Sequence, residues 1–333
     1  MAAEIERAVA RVRDHRVETP VRALEVGGTR CAAKLEALQR TGSFKIRGAA
    51  NQMLTLSARE RAVGVITASS GNHGVAVAHL AAELGLRAVV CAPHDADPVK
   101  LGAIRAAGAE VLDDAADYDT SERQAQALAA QFGLRFIHPF DDLQTIAGHA
   151  TLAVELAEQI PDATAVLIPL SGGGLAAGVA ASLRAAGLRT RLIGVSPSSA
   201  PVMYRSLLAG APVHVDERPT LASALRGGLG DRNRHSFALV QGLLDEVWLV
   251  PEEEIAAAMI WGAESLGTTI EGAGAVALAA LENPAAAGTA HGGPVVAVVS
   301  GGNVDADVVQ RARQIVARAQ RPESPPEAHP LHP

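Results

Sequence analysis

From Ala62 to Gly133, short runs of small and β-branched apolar residues alternate with longer stretches of helical periodicity, and glycine marks most of the joins. Ala62–Thr67, Ala88–Ala92 and Glu110–Leu112 read as strands. Val75–Leu84, Pro98–Ala107 and Thr120–Gln131 read as helices, stopped by Gly85, Gly108 and Gly133. Strands that alternate with helices of roughly 10–15 residues imply βαβ units, because a parallel pair needs a long crossover and the helix supplies it. The alternation resumes after Ile146. There a helix over 148–159, strands at Ala165–Pro169, Arg191–Val195, Val247–Val250 and Val295–Ser300, and helices at Leu175–Ala186, Pro201–Ala209, Glu252–Glu264, Glu271–Leu281 and Asp305–Ala319 are expected. An amphipathic helix over 3–15, a strand over Arg30–Glu36 and a helix over Ile46–Leu56 precede the first block, and the 211–235 stretch reads as an irregular excursion. The pattern predicts an α/β protein of two lobes, each a mostly parallel sheet flanked by helices. Residues 58–145 would form the small lobe, and 1–57 with 146–320 the large one. Residues 321–333, with five prolines and two histidines, predict a disordered tail.

Composition narrows the class. The 333 residues suffice for two cores, and 48% hydrophobic with 3% aromatic content means that Ala, Val, Leu and Ile must fill them. A net charge of −7 with no basic patch argues against nucleic acid as a partner. Cys31 and Cys91 are too few for a disulfide framework and suit a reducing compartment. Glu4, Glu6 and Arg7 interrupt any leader-like apolar run, and no run reaches the roughly 18 residues of a membrane span. The expectation is a cytoplasmic protein.

Four segments carry polar and glycine residues at the joins of that pattern. In Arg40-Thr41-Gly42-Ser43-Phe44-Lys45-Ile46-Arg47-Gly48, a single lysine stands beside an aromatic ring. A nucleophilic lysine must lose its proton, and both burial and a nearby cation such as Arg40 or Arg47 would lower its pKa. The plainer reading is a solvated lysine at a helix start capped by Ser43. Ser171-Gly172-Gly173-Gly174 lies between a strand and a helix, where glycines admit an anion to the backbone and the helix N-terminus offers unpaired N–H groups. Turn geometry alone would also explain the glycines. A dinucleotide site fits less well, because neither glycine loop has the G-x-G-x-x-G spacing with an acid some twenty residues on. Ser69-Ser70-Gly71-Asn72-His73 follows a strand in the same way and could hold a carboxylate. Capping by Ser69 and Asn72, and packing of His73, are the alternatives. Ser300-Gly301-Gly302-Asn303 follows the last buried strand.

In this order the four segments resemble the serine/threonine dehydratase family of pyridoxal-phosphate enzymes, of fold type II, over about 19–308. The resemblance implies that Lys45 holds the cofactor and acts as base, Phe44 packs on its ring, Asn72 meets its phenolic oxygen and Ser300 its ring nitrogen. Ser171, Gly172, Gly173 and Gly174 would bind its phosphate. Ser69, Ser70, Gly71, Asn72 and His73 would bind the substrate, with Ser70 a second catalytic residue in the manner of the related serine racemases. It also implies a dehydratase or ammonia-lyase acting on a threonine- or serine-like β-hydroxy amino acid, and a homodimer. The family's metal-binding carboxylates are replaced here by Ser196 and Val202, so no metal is expected at that place. The Gly227–Arg234 run and Glu271–Gly274 look most like the hydroxyectoine-utilisation branch, whose substrate is an alternative to threonine.

Overall fold

The computed structural model describes residues 1–69, 71–199, 201–216, 218–230, 233–290 and 292–319. Ser70 and the tail 321–333 lie outside the described residues. The strands form two sheets. The larger is built from β1 (Val21–Val26), β2 (Thr29–Leu35), β7 (Ala165–Pro169), β8 (Arg191–Pro197), β9 (Glu246–Val250) and β10 (Val295–Val299), and the smaller from β3 (Val65–Ala68), β4 (Ala88–Pro93), β5 (Glu110–Ala115) and β6 (Arg135–Phe136). Their orders are β1-β2-β10-β7-β8-β9 and β5-β4-β3-β6. Every neighbouring pair is parallel except β1 with β2, so the α/β reading holds in both sheets.

The apolar runs explain the layers. In β10, Val295, Ala297 and Val299 enter one core and Val296 and Val298 the other; β2 divides in the same way between Cys31, Ala33, Leu35 and Ala32. Strands covered by helices on both faces read as unbroken apolar runs, and these do. In the small sheet Val65 faces one core while Ile66 and Ala68 face the other.

Several elements differ from expectation. A hairpin strand, Val21–Val26, precedes the expected one and closes on it through Gly27 and Gly28. The strand expected from Ala62 begins at Val65, because a capping box between Ser57 and Glu60 starts a helix over Ala58–Val63. Helices Ser236–Leu243 and Pro284–Thr289 and the two-residue β6 were also not anticipated. The 211–235 excursion is irregular where described, apart from one helical turn at Ser223–Leu225.

Helix Lys45–Leu54 crosses helix Leu143–Gln159 at glycines: a Cβ on Gly148 would lie 2.4 Å from the carbonyl oxygen of Arg47 and 2.7 Å from the Cα of Gly48. Beneath this crossing lies a buried ionic cluster. Arg47 is wholly buried and donates to Glu36 at 2.7 and 2.9 Å and to Glu155 at 2.6 and 2.9 Å. Lys34, also buried, donates to Glu155 at 2.6 Å and to the carbonyl of Thr19 at 2.7 Å. Glu36 also accepts from Thr19 at 2.6 Å, so each charge is matched by an opposite charge and neutral partners. Removing one member of such a cluster strands the others in a dry interior. Arg47→Ala is therefore expected to lose roughly 3–5 kcal/mol in urea unfolding; a loss below about 1 kcal/mol would show the cluster to be hydrated or slack.

Candidate active site

The loops that matter leave the C-terminal ends of parallel strands, where open α/β sheets place their ligands. After β2 the chain makes a turn over Glu36–Leu38 and runs back beside the end of β10. Ser43 pairs with Gly301 as an antiparallel bridge, the N–H of Phe44 donates to the carbonyl of Ser300 at 3.0 Å, and that of Gly302 to Gly42 at 2.9 Å. The lysine segment and the last serine segment are thus stitched together, although well over two hundred residues separate them in sequence. Ser43 does not cap the helix: Phe44 holds the cap position, and the buried Ser43 hydroxyl has no hydrogen-bond partner among the described residues.

Lys45 begins its helix and points into a cavity of about 500 Å³. Its ε-amine donates to the carbonyl of Pro139 at 2.8 Å. Burial lowers its pKa from 10.5 to about 8, and among the described residues no carboxylate counters the shift. The expected help from a neighbouring cation is not what the structure shows. Arg47 is turned down onto Glu36 and Glu155, and Arg40 reaches Glu83 on the surface. The Phe44 ring lies 5.1 Å from the amine and meets the His149 ring edge-on at 4.7 Å.

Across the cavity, Ser171, Gly172, Gly173 and Gly174 lead from β7 into helix Gly174–Ala185. Gly173 adopts φ +84°, and a Cβ on Gly174 would come within 2.7 Å of the carbonyl oxygen of Phe140. This loop therefore needs glycine for its own path as well as for an incoming ligand. The first N–H groups of the helix have no intrahelical acceptor and open on the cavity, a ready site for an anion.

The Asn72 loop completes the wall. The Ser69 hydroxyl accepts from the N–H groups of Gly71 at 3.1 Å and Gly74 at 2.9 Å, so it shapes the loop. Asn72 and His73 open helix Asn72–Leu84 and line the cavity with Ser69 and Gly71. His73 is buried with Nε2 at 3.1 Å from the carbonyl of Ile137, and burial, helped by the Lys45 charge, pushes its pKa well below the usual value. Ser300 directly follows β10, donates weakly to the carbonyl of Ala273 at 3.3 Å and lines the cavity.

Two residues of this wall were not read as site residues from sequence. Glu271 and Lys100, both buried, meet at 3.0 Å, and Glu271 accepts from Asn72 at 2.5 Å. Glu271 was read as a helix start and within a branch resemblance, and Lys100 only fell inside the Pro98–Ala107 helix; the folding of separated segments brings them together. Among the described residues, no group of three or more His, Cys, Asp and Glu side chains is placed to hold a metal ion.

A concealed amine of lowered pKa, a glycine-lined helix N-terminus for a phosphate and a hydroxyl at the end of β10 are the features that pyridoxal phosphate requires of its site, and the cavity has room for it. The family model for pyridoxal-phosphate dependent enzymes matches residues 12–301. A proposed threonine dehydratase of Sinorhizobium fredii is 44% identical over 95% of this chain and 96% of its own. L-threonine ammonia-lyase of Geobacter sulfurreducens is 41% identical over 83% of this chain and 68% of its own. The structure of maize serine racemase, 30% identical, superposes with a TM-score of 0.85 over 96% of this chain and 98% of its own. The chain belongs to the family of pyridoxal-phosphate dependent enzymes.

Proposed function

We propose that this enzyme is a dehydratase, an ammonia-lyase that eliminates water from a threonine- or serine-like β-hydroxy amino acid to give a 2-oxo acid and ammonium. The observation that carries the reading is the enclosed Lys45, whose amine rests on a neutral carbonyl oxygen and whose pKa burial lowers to about 8. The relatives named threonine dehydratase and L-threonine ammonia-lyase support it.

Pyridoxal phosphate, when bound, supplies an electron sink that acidifies the Cα–H bond of an amino acid joined to it. Ser171 and the N–H groups at Gly172, Gly173 and Gly174 would hold its phosphate, Asn72 its phenolic oxygen, and Phe44 would flank its ring. Ser300 would offer the ring nitrogen a hydroxyl in place of a carboxylate, a partner that would not hold that nitrogen protonated and would suit elimination over transamination. Lys45 would carry the cofactor at rest. When free, its amine is placed to take the Cα proton, and burial, by lowering its pKa to about 8, brings the neutral form within reach of working pH. The loop of Ser69, Ser70, Gly71, Asn72 and His73 would orient the substrate carboxylate through its backbone donors.

A second reading is racemisation of the same amino acids, supported by the likeness to maize serine racemase and resting on Ser70. A substrate derived from hydroxyectoine is favoured by the sequence of the Gly227–Arg234 run. We read the unit 58–145 as the mobile lobe, and the working form as a cytoplasmic homodimer, in keeping with two buried free cysteines. It works without the family's cation: Ser196, in place of the first carboxylate, donates to the carbonyl of Leu170 at 2.6 Å.

Lys45→Ala is expected to abolish both turnover and the visible absorption band of the bound cofactor; a variant that keeps both would overturn the assignment. Because only the neutral amine attacks an aldehyde, cofactor capture by the apoprotein should accelerate with rising pH through a midpoint of about 8. A midpoint above about 10, that of an ordinary lysine, would show the amine to be solvated. Gly174→Ala pushes a methyl group against the Phe140 carbonyl, so affinity for pyridoxal phosphate should fall on the order of tenfold or more in equilibrium titration. Dialysis against a chelator should leave kcat unchanged.

A further inference from the structure

Glu271 holds the N-cap position of helix Gly272–Ala279, and its N–H donates to the carbonyl of Gly301 at 3.2 Å. One carboxylate oxygen accepts from the Asn72 amide nitrogen at 2.5 Å, and the other pairs with Lys100 at 3.0 Å. Lys100 comes from helix Pro98–Ala106, which packs on the small sheet, whereas Glu271 belongs to the helices of the large one. The far side of Asn72 is held as well. Its Oδ1 accepts from Asn303 at 2.9 Å, and Asn303 also donates to the carbonyl of Thr41 at 2.8 Å. The room for this chain is specific: a Cβ on Gly301 would lie 2.4 Å from the Glu271 carboxylate and 3.2 Å from the Asn72 amide.

An amide side chain has two ends that are nearly equal in shape and opposite in hydrogen-bonding sense. Here a carboxylate fixes the NH₂ end and a donor fixes the oxygen end, which leaves one N–H of Asn72 for a ligand. The carboxylate is buried and is paired there with a cation. That cation arrives from the other sheet.

We infer that the Lys100–Glu271 ion pair is a positioning pair for Asn72, fixing the amide with its N–H toward the cofactor only while the two sheet units are together. The inference rests on the cavity being the cofactor site. Neither residue is assigned contact with the substrate; both act through Asn72.

The test uses purified holoenzyme with Lys100→Met, Lys100→Arg and Glu271→Gln. The readouts are the wavelength and circular dichroism of the bound cofactor, kcat and KM for L-threonine, and thermal midpoint. Lys100→Met is expected to shift the cofactor band and lower kcat on the order of 10- to 100-fold, the usual cost of a misplaced active-site group, with KM changed by only about threefold. Lys100→Arg should restore the band and most of kcat. Glu271→Gln, which keeps the size of the side chain, should shift the band in the same sense and carries the test if Lys100→Met does not fold. A parent-like band with kcat within about twofold of the parent overturns the inference, whether or not the thermal midpoint falls. A parent protein that takes up no pyridoxal phosphate would overturn the site reading itself, a distinct result.

Discussion

The Arg47 guanidinium is the constraint on which the site depends. It lies two residues beyond Lys45, is wholly buried, and is satisfied by Glu36 at the end of β2 and by Glu155 on helix Leu143–Gln159. Three elements must meet at fixed separations for those contacts to form, and the first turn of the lysine helix is thereby set against the large sheet. Burying two carboxylates and two cations is costly unless every lone pair and proton is matched. Here Thr19, Thr151, Gln159 and backbone carbonyls supply the remainder. The same arrangement withdraws Arg47 from Lys45. With its charge neutralised below, the lysine titrates low through dehydration alone.

How much of this was legible follows from distance along the chain. The lysine, glycine-rich and serine segments could be read because each is a short string at the end of a strand, where local geometry and chemistry coincide. The α/β class was legible because both-face burial writes itself as unbroken apolar runs in β7 and β10. What escaped was either too short to show a period, as in β6 and the Ala58–Val63 helix, or non-local. Glu271 and Lys100 stand 171 positions apart, and no spacing rule joins them. Of the two causes read for the Lys45 shift, burial holds and the neighbouring cation does not, for the same reason. Arg47 is two positions away in sequence, but its partners lie at Glu36 and Glu155.

The Ile137–Pro139 stretch was also silent in sequence, yet it holds the back of the cavity. Its three consecutive carbonyls each accept a side-chain donor. Ile137 takes the Thr67 hydroxyl at 2.7 Å, His138 that of Thr145 at 3.0 Å, and Pro139 the amine of Lys45. The His138 ring accepts from the N–H of Asp141 at 3.0 Å and is kept neutral by burial, with its pKa lowered to about 4. Proline donates no backbone hydrogen bond, so at Pro139 only an acceptor remains to meet the lysine.

This stretch continues directly from β6, the edge strand of the small sheet, and its next residue, Phe140, packs its ring against Gly172. Lys45 therefore rests on a carbonyl that follows the small sheet's edge strand, and its helix reaches both sides: Ile46, Ala49, Ala50 and Met53 pack in the small sheet's core, while Arg47 anchors in the ionic cluster with Glu36 and Glu155. The resting place of the nucleophile is thus set by the edge of the small sheet, read at a single oxygen atom.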